Sequence, residues 1–287
     1  MLWGWSESTW DRILLDTAVG VPPTEDQITQ ELLSTLAHRF GHLSATWWNQ
    51  TRYSGSSEGG QDGPNADWDW WVADSAGWAG LRIQAKKIDP ATAYYPDLNA
   101  NSKKKREQAS LLIGNAAGAA GSPAPAYCFY NAWDDPPPPA AGNMGRDTHR
   151  RDWGATLVPA AVVLDALNTR LASGRGKSVL GFDTFLDAHW PLGAFFCQEE
   201  TPRQSVAAWG ADVVPDSPGA DDDEEVPTHA TPDVVQSLLM RLSPNLDVAA
   251  AGEERLLALA EAPVETRAVL IQVQDDEVLE RALASIT

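Results

Sequence analysis

Asp67-Trp68-Asp69-Trp70-Trp71-Val72, a turn around Asp74-Ser75-Ala76-Gly77, and then Leu81-Arg82-Ile83-Gln84-Ala85-Lys86 decide how this chain is read. Two apolar runs with a turn between them predict two strands, over 67–72 and 81–86. Side chains alternate faces along a strand. Asp67, Asp69 and Trp71 therefore share one face of the first, and Arg82, Gln84 and Lys86 share one face of the second. Leu81, Ile83 and Ala85 are left for the core. A turn centred between Ser75 and Ala76 sets Asp67 opposite Gln84. Facing residues have Cβ atoms roughly 4.5–5.5 Å apart. A carboxylate and an amide oxygen can then share one Mg2+ or Mn2+, since hard cations take oxygen ligands, with Lys86 on the same face. A cation beside a lysine is what phosphodiester hydrolysis needs. A register slip of one residue removes the arrangement. Asp69 is a lesser candidate, because Arg82 across the hairpin offers it an ion pair.

A third oxygen ligand is expected from a helix that starts after Pro22-Pro23. Thr24 is a good N-cap, and Glu25-Asp26 suit the first turn. Ile28, Leu32, Leu33, Leu36 and Phe40 recur at helical spacing. On a helical wheel Glu25 falls at roughly 60° from Ile28, inside their stripe. An acid on an inward face is costly unless it is paired or binds a cation. Facing the helix dipole is the plainer explanation of Glu25.

The 287 residues include 43% apolar side chains, enough for a sizeable core. The formal net charge is −19. Such a balance disfavours non-specific adhesion to nucleic acid or an anionic membrane, so any polyanion contact needs a local basic patch. Cys128 and Cys197 sit in apolar contexts, and no CxxC spacing predicts structural zinc. No apolar run approaches the ~18 residues of a membrane span. The start of the chain lacks the basic and apolar regions of a signal peptide. The expectation is a cytoplasmic protein with no membrane partner.

That basic patch is present. Lys86, Lys87, Lys103, Lys104, Lys105 and Arg106 bring six of the 21 basic residues into one segment, opposed only by Asp89 and Asp97. The last four open a helix expected over 103–120, with Ser102 as its cap and Leu111, Leu112 and Ile113 in its interior. Cations there oppose the helix dipole, so helix stability does not explain them. Lys87, Lys103, Lys104, Lys105, Arg106 and, one turn on, Gln108 are therefore candidate nucleic-acid contacts. A solvated charged turn is the bland alternative.

Elsewhere, residues 51–66 read as a loop that carries one further candidate acid, Glu58. A strand is expected over 126–130, a helix over 159–171, and a late strand or buried connection over 193–197. The run Asp221-Asp222-Asp223-Glu224-Glu225 marks an acidic, Pro-rich linker over 212–231. The expected organisation is a domain over 1–211 (core about 24–200), that linker, and a small, mostly helical module over 232–287 with one strand at 268–273.

Glu25 on a helix, Ala66-Asp67 on a strand and Gln84-Ala85-Lys86 on the next resemble the PD-(D/E)XK nuclease superfamily. Gln108 and Pro125-Ala126-Tyr127-Cys128-Phe129-Tyr130-Asn131 extend the likeness to bacterial proteins with GAD and QAK strands, over residues 24 to 131. The resemblance implies an α/β (α+β) fold with a restriction-endonuclease-like mixed central sheet flanked by helices. It implies Mg2+-dependent cleavage of nucleic acid, DNA ahead of RNA, by Asp67, Gln84, Lys86 and Glu25. It also implies a role in genome or antiphage defence, with a second copy or a defence-system protein as partner. Two residues depart from the pattern: Gln84 stands where the superfamily has an acid, and Asn65 where the closer relatives have Gly. The alternative is an inactive nuclease fold acting as a binding or regulatory subunit.

Overall fold

Apolar residues at helical spacing build the first two helices. α1 (Leu2–Ala18) buries Leu2, Trp5, Thr9, Trp10 and Ile13. This helix is not expected from the sequence, because its Trp, Ser and Thr content lowers helix propensity. α2 (Glu25–Arg39) buries Ile28, Leu32, Leu33 and Leu36, the expected stripe. The structure is a computed structural model. It describes residues 2–39, 43–48, 66–74, 77–117, 122–134, 150–173, 179–196, 206–207, 209 and 268–273.

The remaining elements, in chain order, are β1 (Leu43–Trp48), β2 (Trp68–Asp74), β3 (Gly77–Lys87), a one-turn α3 (Pro96–Asn99), α4 (Ser102–Ala117), β4 (Ala124–Tyr130), α5 (Arg150–Trp153), β5 (Ala155–Pro159), α6 (Ala160–Ala172), β6 (Trp190–Pro191) and β7 (Ala268–Val273). Two 3-10 helices, Phe182–Ala188 and Leu192–Phe196, flank β6. The second occupies most of the segment expected as a strand or buried connection. The class is mixed α/β, with a mixed sheet flanked by helices.

The chain divides into two compact units. One comprises residues 33–82, 115–124 and 201–287. Its strands run in the order β1-β7-β2-β3. β7 is antiparallel to β1, with Leu43 opposite Val273, and parallel to β2, with Trp68 opposite Ala268. The strand expected at 268–273 thus forms as an interior strand of a sheet. The helices expected beside it, and the acidic linker, lie outside the described residues. Trp68, Trp70 and Trp71 are all buried on β2. Gly80 is required opposite them: a Cβ there would lie 2.5 Å from the Trp71 ring.

The other unit comprises residues 1–32, 83–114 and 125–200. It contains the end of β3, followed by β4-β5-β6. β4 pairs antiparallel with β5, and β5 with β6. Every residue of β4 is buried. The Ser6 hydroxyl on α1 accepts the Ala155 N–H (2.9 Å). A Cβ on Gly154 would collide with the Ser6 carbonyl oxygen, so only glycine permits this approach. Thr29 on α2 shares a 2.9 Å hydrogen bond with the Tyr130 hydroxyl at the end of β4. That bond fixes the start of α2 beside the strands, and with it Glu25.

Candidate active site

The α2 N-terminus is capped reciprocally. Thr24 N–H donates to Gln27 Oε1 (2.9 Å), and Gln27 N–H donates to Thr24 Oγ1 (3.2 Å). The next residue is Glu25. Its Oε2 accepts the backbone N–H of Lys87 at 2.8 Å. Its Oε1 stands 3.8 Å from the Lys86 ammonium. The helix acid and the strand lysine, sixty-one positions apart by number, are thus neighbours in space.

Lys86 is buried, with 5% of its side chain exposed. Its ammonium is 2.9 Å from Asp97 Oδ2 on α3. Lys105 reaches the same carboxylate from α4, 2.7 Å from Oδ1. Burial pushes the Asp97 carboxyl up, but Lys86 and Lys105 outweigh it and hold the carboxyl below its ordinary range. The Lys87 ammonium donates to the Pro23 carbonyl at 2.6 Å. Burial pushes Lys87 below its ordinary value, against the opposing influence of Glu25 and Asp89.

A five-residue charged cluster results: Glu25, Lys86, Lys87, Asp97 and Lys105. A family model described as a family of unknown function, DUF6615, matches residues 1–277. The chain belongs to the DUF6615 family. No curated protein and no solved structure matches it.

Asp97 and Lys105 change how the DUF6615 basic segment is read. Lys87 and Lys105, expected to face nucleic acid, hold partners within the chain instead. Lys103 and Lys104 remain exposed on α4, while Arg106 and Gln108 are half-buried. Among the described residues, no hydrogen bond joins Gln108 to the cluster. Ser102 is the first helical residue of α4 and its hydroxyl accepts Arg170, while Asn101 Oδ1 accepts the Lys104 N–H from the cap position. The expected interior of α4 shifts as well: Ala109, Leu112 and Ala116 are buried and Leu111 is exposed.

Asp69 is committed elsewhere. Arg82 Nε and Nη2 donate to its two oxygens, each at 2.9 Å, and Arg82 Nη1 donates to the Asn115 carbonyl. The expected ion pair is therefore formed, and it is buried. Removing one partner from a buried pair costs about 3–5 kcal/mol, because the other charge is stranded. Both Asp69 oxygens are thus engaged by Arg82.

Asp67 is half-buried just before β2, and Gln84 is half-buried on β3 with Ile83 and Ala85 inward to either side. Glu58 lies outside the described residues. Among the described residues, no group of three or more His, Cys, Asp or Glu could hold a metal ion. The candidate ligands Glu25, Asp67 and Gln84 contain only two carboxylates, so they make no such group. Their oxygen-only donor chemistry fits a hard cation that completes its shell with water.

Proposed function

We propose that this DUF6615 protein is a divalent-metal-dependent nuclease of the restriction-endonuclease-like kind, cutting DNA in preference to RNA. The observation that carries the reading is the meeting of Glu25 with Lys86, at 3.8 Å, at the edge of β3. A helix acid and a strand lysine, each a candidate from the sequence on separate grounds, share one cluster. Asp67 and Gln84 support it from their positions in the chain. In the hairpin register read from the sequence, they are a facing pair.

In this reading Glu25, Asp67 and Gln84 hold Mg2+ or Mn2+. Bound there, the cation supplies charge neutralisation at the phosphate and activation of water. Lys86 presents an ammonium to the non-bridging phosphate oxygens, where negative charge builds up as the bond breaks. Its burial strengthens that interaction, since the local dielectric is low. Lys103, Lys104 and Arg106 contact the backbone of the polyanion away from the reacting phosphate. The role in genome defence belongs to the same proposal.

The test is incubation of the purified protein with plasmid and single-stranded substrates in Mg2+, Mn2+ or EDTA. Cleavage should depend on metal. Lys86→Ala should abolish it while the circular dichroism spectrum is unchanged. A Lys86→Ala protein that cuts as well as wild type sinks the assignment.

One observation favours a second reading. Three lysines face two carboxylates in the cluster, and Gln84 adds no charge, so the cluster attracts a phosphate without any metal. A nuclease fold used for binding alone has this character. Calorimetry separates the two: Mn2+ binding that Asp67→Ala abolishes supports the enzyme, and absence of Mn2+ binding supports the binding subunit.

A further inference from the structure

Tyr94 is 43% exposed, and among the described side chains it is the one exposed aromatic ring. The other described tyrosines, Tyr95, Tyr127 and Tyr130, are buried. Among the described residues the Tyr94 hydroxyl makes no hydrogen bond and its ring meets no other ring. A buried tyrosine usually finds both. We infer that Tyr94 is a platform on which an unpaired nucleobase stacks beside the charged cluster, so that the substrate is a strand with unpaired bases at the site. The inference rests on the nucleic-acid reading above.

A single exposed ring on ordinary backbone is unremarkable. The backbone here is not ordinary. Ala93, just before the ring, has φ +55°, in the left-handed region that a residue with a Cβ rarely adopts. Such strain persists only where surrounding contacts impose it, and it gathers at ligand clamps. Contacts impose it from both sides. On one, Asp89 N–H donates to the Tyr94 carbonyl (2.8 Å) and Ala93 N–H to the Asp89 carbonyl (2.9 Å). The Asp89 carboxylate closes the same loop, accepting the Ala91 N–H and the Thr92 hydroxyl. On the other, Phe182 N–H donates to the Ala93 carbonyl and Tyr95 N–H to the Leu180 carbonyl, each at 3.1 Å. Gly181 supports the ring itself, since a Cβ there would lie 2.7 Å from it. The clamped loop begins at the end of β3, next to Lys87, and ends at α3, which carries Asp97. Tyr94 is therefore held rigidly in the connection between two members of the charged cluster. A rigid, uncharged ring beside cations suits a single strand, because every base has a π-face to stack.

Fluorescence anisotropy on the full chain in EDTA tests this, because binding is then read without cleavage. The probes are a short labelled single-stranded DNA, the same strand made abasic, and the matching duplex. Tyr94→Ala should weaken binding of the single strand about tenfold. The slope of affinity against salt should stay as in wild type, because the ring carries no charge. Tyr94→Phe keeps the ring face and should bind within about threefold of wild type. On the abasic strand and the duplex, Tyr94→Ala should cost less than about threefold, since neither offers an unpaired base. A Tyr94→Ala protein that binds the single strand like wild type overturns the inference. A Tyr94→Phe loss as large as that of Tyr94→Ala makes the hydroxyl the contact and overturns stacking. Equal losses on all three probes, or a flattened salt slope, make Tyr94 a scaffold for the basic surface and overturn it too. If wild type binds none of the probes, the nucleic-acid reading itself fails and takes the inference with it. Wild-type binding of the duplex alone leaves that reading standing and overturns only the inference.

Discussion

His189 lies fully buried among rings. It stacks on Phe182 with centroids 4.5 Å apart, and its edge meets Trp153 and Phe129. The Asn131 amide donates to Thr156 Oγ1 at 3.1 Å, so the threonine hydroxyl is free to donate to His189 Nδ1 at 2.7 Å. Asn131 also accepts the Tyr95 hydroxyl at 2.7 Å, which extends the polar chain through the core. Burial pushes the imidazole down to about 3, against a weaker contribution from the Phe182 backbone. The unfolded chain protonates this histidine near its ordinary value of about 6.5. Above that pH it is neutral in both states and contributes no pH dependence. As the pH falls from about 6.5 towards 3, only the unfolded state takes up the proton, and folding stability drops by up to about 1.4 kcal/mol per pH unit. Urea unfolding of His189→Leu between pH 7 and 4 should show a shallower loss than wild type. Parallel slopes would mean that His189 does not carry the proton linkage.

At the scale of elements, the start of α2 joins stability to the site. Thr24 and Gln27 cap each other, and Glu25 follows directly. Thr24→Ala should cost about 1 kcal/mol in urea unfolding, and Thr24→Ser should restore most of it. An alanine variant as stable as wild type would show that the Thr29–Tyr130 bond and the buried stripe hold the helix without its cap. This cap is legible in the sequence because it is local: donor and acceptor lie three residues apart. The β2–β3 hairpin is legible for the same reason, and Asp69–Arg82 follows from its register. Asp97 stands out in the sequence only as one of two acids opposing the basic segment, not as a site residue. Its importance comes from α3 and α4 folding back on β3, which sequence spacing does not encode. The lysines divide: Lys86 and Lys105 pair with Asp97 and Lys87 donates to Pro23, while Lys103 and Lys104 stay exposed. The position of β7 is hidden too, because a strand's own sequence states its burial but not its neighbours.

The whole molecule carries a net charge of −19, so its long-range field repels a polyanion. Binding must then come from a small cationic surface working against that field, and salt should weaken it steeply. Replacing Lys103, Lys104 and Arg106 together by Gln should lower DNA affinity and flatten its salt dependence. The logarithmic slope should fall by about 0.9 for each phosphate that is no longer neutralised. The thermal unfolding midpoint should barely move. An unchanged slope would place the DNA-binding surface elsewhere.

β7 has a consequence for biosynthesis. Its parallel neighbour β2 and its antiparallel neighbour β1 both leave the ribosome long before it does. Until 268–273 is translated, each has an unsatisfied row of peptide groups on the side that β7 will occupy. Such rows invite pairing with another nascent chain. Pairing over so long a sequence separation is also slow, since loop closure comes first. The sheet is therefore completed after synthesis of its earlier strands, and a premature stop ahead of codon 268 leaves those strands unsealed and prone to aggregate.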